Sequence, residues 1–174
     1  MKTGIFGLCV LLGVSAAAAQ EAPKPGPEHE RLKKLEGTWD AAGKSPLDGK
    51  DFKGEMVFKS VLGGLWLESS FNCTFGEMKF SGRGLDGYDP AKKKYVSIWV
   101  DSWSTVPMVS EGTYDEAAKT LTLTGEAPGE DGKPAKYKMV SKTIDDDSFA
   151  WSMAVILPDG KLHGVMSINY KRKK

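Results

Sequence analysis

Gly37-Thr38-Trp39 and Tyr170-Lys171-Arg172 are the two stretches on which the fold of this chain turns. Between them, nine stretches rich in aromatic and β-branched residues follow one another, many alternating with period two: 52–59, 65–75, 78–85, 95–101, 109–114, 120–126, 136–143, 149–157 and 163–171. With the strand that carries Trp39 they make ten. A Gly-x-Trp on the first strand and a cation on the last is a way for a small barrel to seal its floor. The indole plugs the closed end, and a guanidinium laid across its face adds roughly 0.5–2 kcal/mol, depending on desolvation. Trp39 and Arg172 are therefore expected to be structural, serving barrel closure.

The connections carry turn chemistry: Asp89-Pro90-Ala91-Lys92, Asp115-Glu116-Ala117-Ala118, Asp145-Asp146-Asp147 and Pro158-Asp159-Gly160, with Ala127 to Ala135 as the longest loop. One short helix is expected over 28–36, with Pro27 near its start, Leu32 and Leu35 on one face, and Gly37 as its stop. No further helical stretch interrupts the strands, so parallel crossovers are absent and the sheet is expected to be antiparallel. Closing such a sheet removes its exposed edges. The expected fold is all-β: a single antiparallel, calycin-like barrel of about ten strands, of the lipocalin and fatty-acid-binding-protein type, over residues 28–174.

The N-terminal residues read as a secretory signal. Lys2 supplies the positive start, 5–14 are apolar, and Ala16 to Ala19 form a small-residue cleavage site, which gives a signal peptide over 1–19. The apolar run falls short of the roughly 20 residues a membrane-spanning helix needs, so no integral membrane segment is expected after cleavage. Residues 20–27 are a Pro-rich leader. The expected location is exported, periplasmic or secreted. Loss of Lys2 leaves 23 basic and 23 acidic residues from the full chain's 24 and 23. A balanced chain without a basic face excludes non-specific nucleic-acid binding. Cys9 leaves with the signal and Cys73 is left alone, so no intramolecular disulfide is expected, and the apolar strand pattern around Cys73 predicts burial.

Several chemical motifs fail on their context. Gly82-Arg83-Gly84-Leu85-Asp86-Gly87 matches GxGxxG, yet a dinucleotide site needs a strand before it and a helix opening at it. Here strand patterns lie on both sides, and the glycines read as hairpin or bulge positions. Asp145 to Asp147 lack the spacing of a Ca²⁺ loop, and His29 and His163 with one mature cysteine do not make a zinc site. There is no GxSxG elbow and no triad spacing around His163. No catalytic residue, metal site or cofactor is assigned on these grounds.

What remains is an inventory suited to a barrel pocket, which is mostly apolar with a few placed polar groups. Trp66, Glu68, Arg83, Tyr88, Trp99, Asp101, Trp103 and Trp151 form the candidate ligand-binding set, with Glu68, Arg83 or Asp101 orienting a polar end. Alternation groups Trp66 with Glu68, Trp99 with Asp101, and Trp151 with Phe149 and Met153, but leaves open which face points inward.

Gly37-Thr38-Trp39, residues 61–68 (VLGGLWLE), 84–89 (GLDGYD), 94–102 (KYVSIWVDS) and 111–115 (EGTYD) follow in order. Together they closely resemble the bacterial family catalogued as domain of unknown function fifteen seventy-nine, over about residues 28–172. The resemblance implies an exported calycin-like barrel with no established activity. The leading expectation is a non-catalytic barrel that holds a small hydrophobic or amphipathic molecule in its lumen. Three alternatives stay open. One is haem binding through His163, by analogy with nitrobindin-like barrels that this chain resembles in its GTW start. Another is a side-chain-filled interaction module. The third is an enzyme with an acid/base at the barrel mouth.

Overall fold

The computed structural model describes residues 22–129 and 131–174. The expected signal peptide and Cys9 lie outside the described residues. Ten strands alternate inward and outward residues with hairpin connections: β1 (Gly37–Lys44), β2 (Asp51–Val61), β3 (Trp66–Phe75), β4 (Met78–Asp89), β5 (Lys94–Asp101), β6 (Met108–Asp115), β7 (Thr120–Pro128), β8 (Pro134–Asp145), β9 (Ser148–Ile156) and β10 (Leu162–Arg172). Each pairs antiparallel with its sequence neighbours, and β1 pairs with β10, so the barrel is closed. The all-β antiparallel expectation holds.

The elements depart from their sequence reading at four places. The helix, α1, runs over Pro27–Lys33, and the chain then tightens through i→i−3 hydrogen bonds at Leu35 and Glu36 before entering β1. A 3₁₀ turn at Leu62–Gly64 delays β3 until Trp66. β4 runs on to Asp89 without a register shift against β3 or β5, so the GxGxxG glycines are mid-strand residues rather than hairpin or bulge positions. Finally, the Ala127–Ala135 loop is shorter than expected, because Ala127↔Ala135 and Pro128↔Pro134 extend the ladder.

The floor is built as the terminal residues suggest it should be. The Arg172 guanidinium lies over the Trp39 ring, 4.1 Å from its centroid. Its nitrogens donate to the carbonyl oxygens of Glu36 (2.6 Å) and Lys34 (2.7 Å). Trp39 is 1% exposed, donates through Nε1 to the Leu35 carbonyl at 2.8 Å, and meets Phe149 edge-on. Gly37 is the reason the chain can pass so close: its φ of +125° suits glycine, and a Cβ there would sit 3.0 Å from the guanidinium. Helix α1 lies across the same end. Pro27 occupies its first turn, the Gly26 amide donates to His29 Nδ1, and Leu32 is buried. Arg31 pins it by donating to the Tyr95 hydroxyl (2.6 Å), pairing with Glu116 and covering the Tyr114 ring.

Packing is uneven around the barrel. The contiguous core joins Trp39, Met56, Phe58, Leu67, Phe71, Phe149, Ile168 and Tyr170, drawn mainly from β1–β3, β10 and the start of β9. All five inward residues of β3 are buried, Cys73 among them, whereas β7 has no fully buried residue. The inward Trp99, Leu121, Leu123, Trp151 and Met153 are half-buried. Trp99, Leu121, Leu123 and Trp151 pack against the core without being fully buried, so inward side chains on the β5–β9 side keep residual access to water.

Candidate functional site

Cross-strand partners point to the same side of a sheet, so the pairing register draws the inner wall row by row. One row begins at the buried Leu67 and continues through Asp86, Ser97, Ser110, Gly125, Tyr137, Val155 and His163. Because the strands of a closed barrel tilt, the row climbs from near the floor at Leu67 to the rim at His163. Its polar members, Asp86, Ser97, Ser110, Tyr137 and His163, form a polar stripe interrupted by Gly125 and Val155. The next row towards the floor holds Tyr88, Tyr95, Gly112, Leu123, Met139, Met153 and Met166. On its other side lie Ser69, Gly84, Trp99 and Met108.

Asp86 is the chemically distinctive member. It sits inside the wall between Leu67 and Ser97, half-buried, and the Ser97 hydroxyl donates to it. Burial pushes its carboxyl up from 3.8 to about 6, and the Ser97 hydrogen bond only partly offsets this. Ser69 and Ser110 are buried on the same inner face. The Trp99 indole lies flat against β4: a Cβ on Gly82 would come 2.1 Å from its ring, and one on Gly84 would come 3.1 Å from it. The two glycines make room for the ring, which donates through Nε1 to Asp101 at 2.9 Å.

The residues proposed from sequence are divided by the wall. Trp99, Asp101 and Trp151 face inward, and Trp103 packs on Phe75 and Phe80 at the end opposite the floor. Asp101 also accepts from the Trp103 amide. Tyr88 lies in the floor, edge-on to Tyr95 and to His29 of α1. Trp66, Glu68 and Arg83 alternate with the inward residues of β3 and β4 and stand on the outer face, where Trp66 covers Gly87. That removes these three from any lumen site. Asp86, Ser97, Ser110 and Tyr137 were missed. The signal for Asp86 was the alternation Phe80, Gly82, Gly84, Asp86, Tyr88, hidden because Asp-Gly reads locally as a turn.

His163 pairs with Val155 at the rim, so its position is on the inner row, but its ring is exposed and no hydrogen bond orients it among the described residues. Metal-bound imidazoles are almost always oriented through their second nitrogen. His163 thus stands at the rim without a protein partner, among the described residues, that would orient its ring as an axial ligand. No group of three or more His, Cys, Asp or Glu side chains suited to a metal ion occurs among the described residues.

A side opening reaches the wall near the rim. β1 pairs with β10 only as far as Gly43↔Ile168, and β10 has a register shift against β9 between Gly164 and Met166. A cleft of about 420 Å³ opens there between Lys44–Ser45 and Leu162–Ser167, with the inner-wall residues Met153 and Met166 in its lining. Its volume is within the range of small-molecule sites, roughly 300–1,000 Å³.

These features define a class: a closed ten-stranded antiparallel barrel with a helix across one end, an aromatic cluster at the other, and a carboxylate on the inner wall. The chain belongs to the family described as protein of unknown function, DUF1579, whose match covers residues 24–172. Among solved structures it is similar to Rv2717c from M. tuberculosis, with 17% identity and a TM-score of 0.61, covering 86% of this chain and 99% of that one. At that identity the likeness is one of fold. A redesigned β-barrel, b11L5F_LGL, aligns at 14% identity and a TM-score of 0.44 over 82% of this chain and 95% of its own. No curated protein matches the chain. Among the described residues no helix is long and apolar enough to cross a membrane.

Proposed function

We propose that this protein is an exported carrier that takes a small amphipathic molecule into the barrel lumen without transforming it. The observation that carries the reading is the half-buried inner wall of β5–β9, where Trp99, Leu121, Leu123, Trp151 and Met153 keep residual access to water beside a polar stripe. Burying a ligand's apolar part against such a wall returns about 25 cal/mol per Å² before ordering costs. The floor is sealed by α1, Trp39 and Arg172, so a ligand enters from the opposite end, past Trp103, or through the cleft beside β10. The direct cross-strand partners of Asp86, Leu67 and Ser97, include no histidine, acid or lysine, which supports binding rather than general acid/base chemistry.

Native mass spectrometry of the protein isolated from its own cell envelope is the direct test. A mass for residues 20–174 with a discrete small adduct is the expected result. A bare polypeptide mass, together with tryptophan fluorescence unmoved by any amphiphile, would overturn the reading.

A second reading, association through the outer face, draws on a different observation. Leu85, Ile98 and Val109 are cross-strand neighbours on the outside of β4–β6, 37%, 39% and 59% exposed, with the exposed Val100 beside them. A contiguous exposed apolar row of this kind marks interaction surfaces. Sedimentation that shifts with concentration and is reversed by Ile98→Lys would favour it; concentration-independent monomer would exclude it.

A further inference from the structure

We infer that the lumen selects molecules whose polar end is a protonated amine, with Asp86 as the counter-ion that receives it; this rests on the lumen-binding reading above. Among the described residues, three charged side chains stand on the inner wall at or between the two ends: Arg172, Asp101 and Asp86. Arg172 faces inward at the floor, but its guanidinium is committed to the Trp39 ring, to the carbonyl oxygens of Lys34 and Glu36, and to Asp147 at 3.3 Å. Asp101, near the mouth, is committed to the Trp99 indole and the Trp103 amide. Asp86 is different. Among the described residues it has the Ser97 hydroxyl as a partner and no ion pair, although it stands well inside the wall.

A carboxylate accepts about four hydrogen bonds when ionised, and one hydroxyl leaves most of that capacity to water or to a ligand. In a low-dielectric lumen an uncompensated negative charge repels carboxylates and phosphates and draws a cation, most strongly one that brings N–H donors. The surroundings fit the rest of such a molecule. From Asp86 the polar side continues along Ser97 and Ser110, while the adjoining row offers Leu123, Met139, Met153 and Met166 towards the cleft beside β10. The unbranched methionines conform to tails of varied shape. An alkyl or aryl amine thus enters head first, its ammonium at Asp86 and its tail along the methionine row.

Three probes that share one tail separate head from tail: decylamine, decanol and decanoate, titrated against the purified protein at pH 7.5 and below their aggregation thresholds. Tryptophan fluorescence and calorimetry are the readouts. Decylamine is expected to bind about tenfold or more tighter than decanoate, with decanol between them. Asp86→Asn is expected to abolish the preference while still binding decanol. Ser97→Ala, which keeps the carboxylate, is expected to retain it. Unfolding curves of both variants confirm that they fold. Equal binding of the three probes, or a preference that survives Asp86→Asn, would overturn the assignment of Asp86 and leave the lumen reading standing. Failure of all three to bind would sink the lumen reading itself.

Discussion

At the scale of single residues, Asp86 and Cys73 show burial acting on acids. The folded-state pKa of Asp86 is raised from 3.8 to about 6, so the fold favours its protonated form. Between those values the native state holds more protons than the unfolded chain. This contribution to stability is fully present below about pH 4 and is lost as pH rises through about 6. Two units correspond to an upper bound of about 3 kcal/mol. Asp86→Asn removes the ionisation, and the variant is expected to exceed the native protein by about 1–2 kcal/mol at pH 7.5 and to converge with it at pH 4. Urea unfolding at the two pH values checks this; equal stabilities at pH 7.5 would contradict the placement of the carboxyl. Cys73 is buried beside the core, and desolvation pushes its thiol up to about 11. At pH 8 it is expected to react with a thiol reagent only when the protein is unfolded, and not to form dimers by oxidation. Rapid labelling of the native protein would show that β3 is open there.

At the scale of elements, the floor and β4 carry the most specific constraints. Arg172 joins β10 to the end of α1 through two carbonyls in a fork geometry while stacking on Trp39. Lysine has neither the fork nor the flat face. Arg172→Lys is expected to cost about 1–3 kcal/mol, read as a lower urea midpoint with an unchanged slope. Gly82→Ala drives a methyl into the Trp99 ring and is expected to cost about 1–3 kcal/mol, with a shift in the Trp99 emission. The same elements show where sequence reading succeeds and stops. Strand alternation, the GTW start and the terminal Arg172 were legible because each is a local pattern or a familiar pair. Which face is inner was not, since alternation groups Trp66 with Glu68 without assigning a side. The role of Gly82 and Gly84 depends on Trp99, a partner on the next strand that no local window contains. Asp86 was lost because Asp-Gly has turn chemistry of its own, which the pairing of β4 with β3 and β5 overrides.

At the scale of the whole molecule, the barrel is a closed ring with unequal halves. Closure requires β1 to find β10, and the Arg172–Glu36 hydrogen bond joins residues 136 apart in sequence. Contacts of such separation make assembly slow and cooperative. The half formed by β10, β1, β2 and β3 holds the core, while the inward residues of β7 are only half-buried. Local opening is cheapest where few apolar contacts must break. Backbone hydrogen exchange is therefore expected to be slowest in peptides from β2 and β3 and fastest, among strands, in β6 and β7. A lumen ligand binds only the closed wall, and stabilises it by RT ln(1 + [L]/Kd). Saturation with decylamine should then slow exchange in β4 to β7 more than in β2 and β3, where the core already dominates. Uniform slowing around the ring would place the binding energy in global stability instead. No slowing, with decylamine bound by calorimetry, would put the amine on the outer face beside Leu85 and Ile98 and take the lumen out of the function altogether.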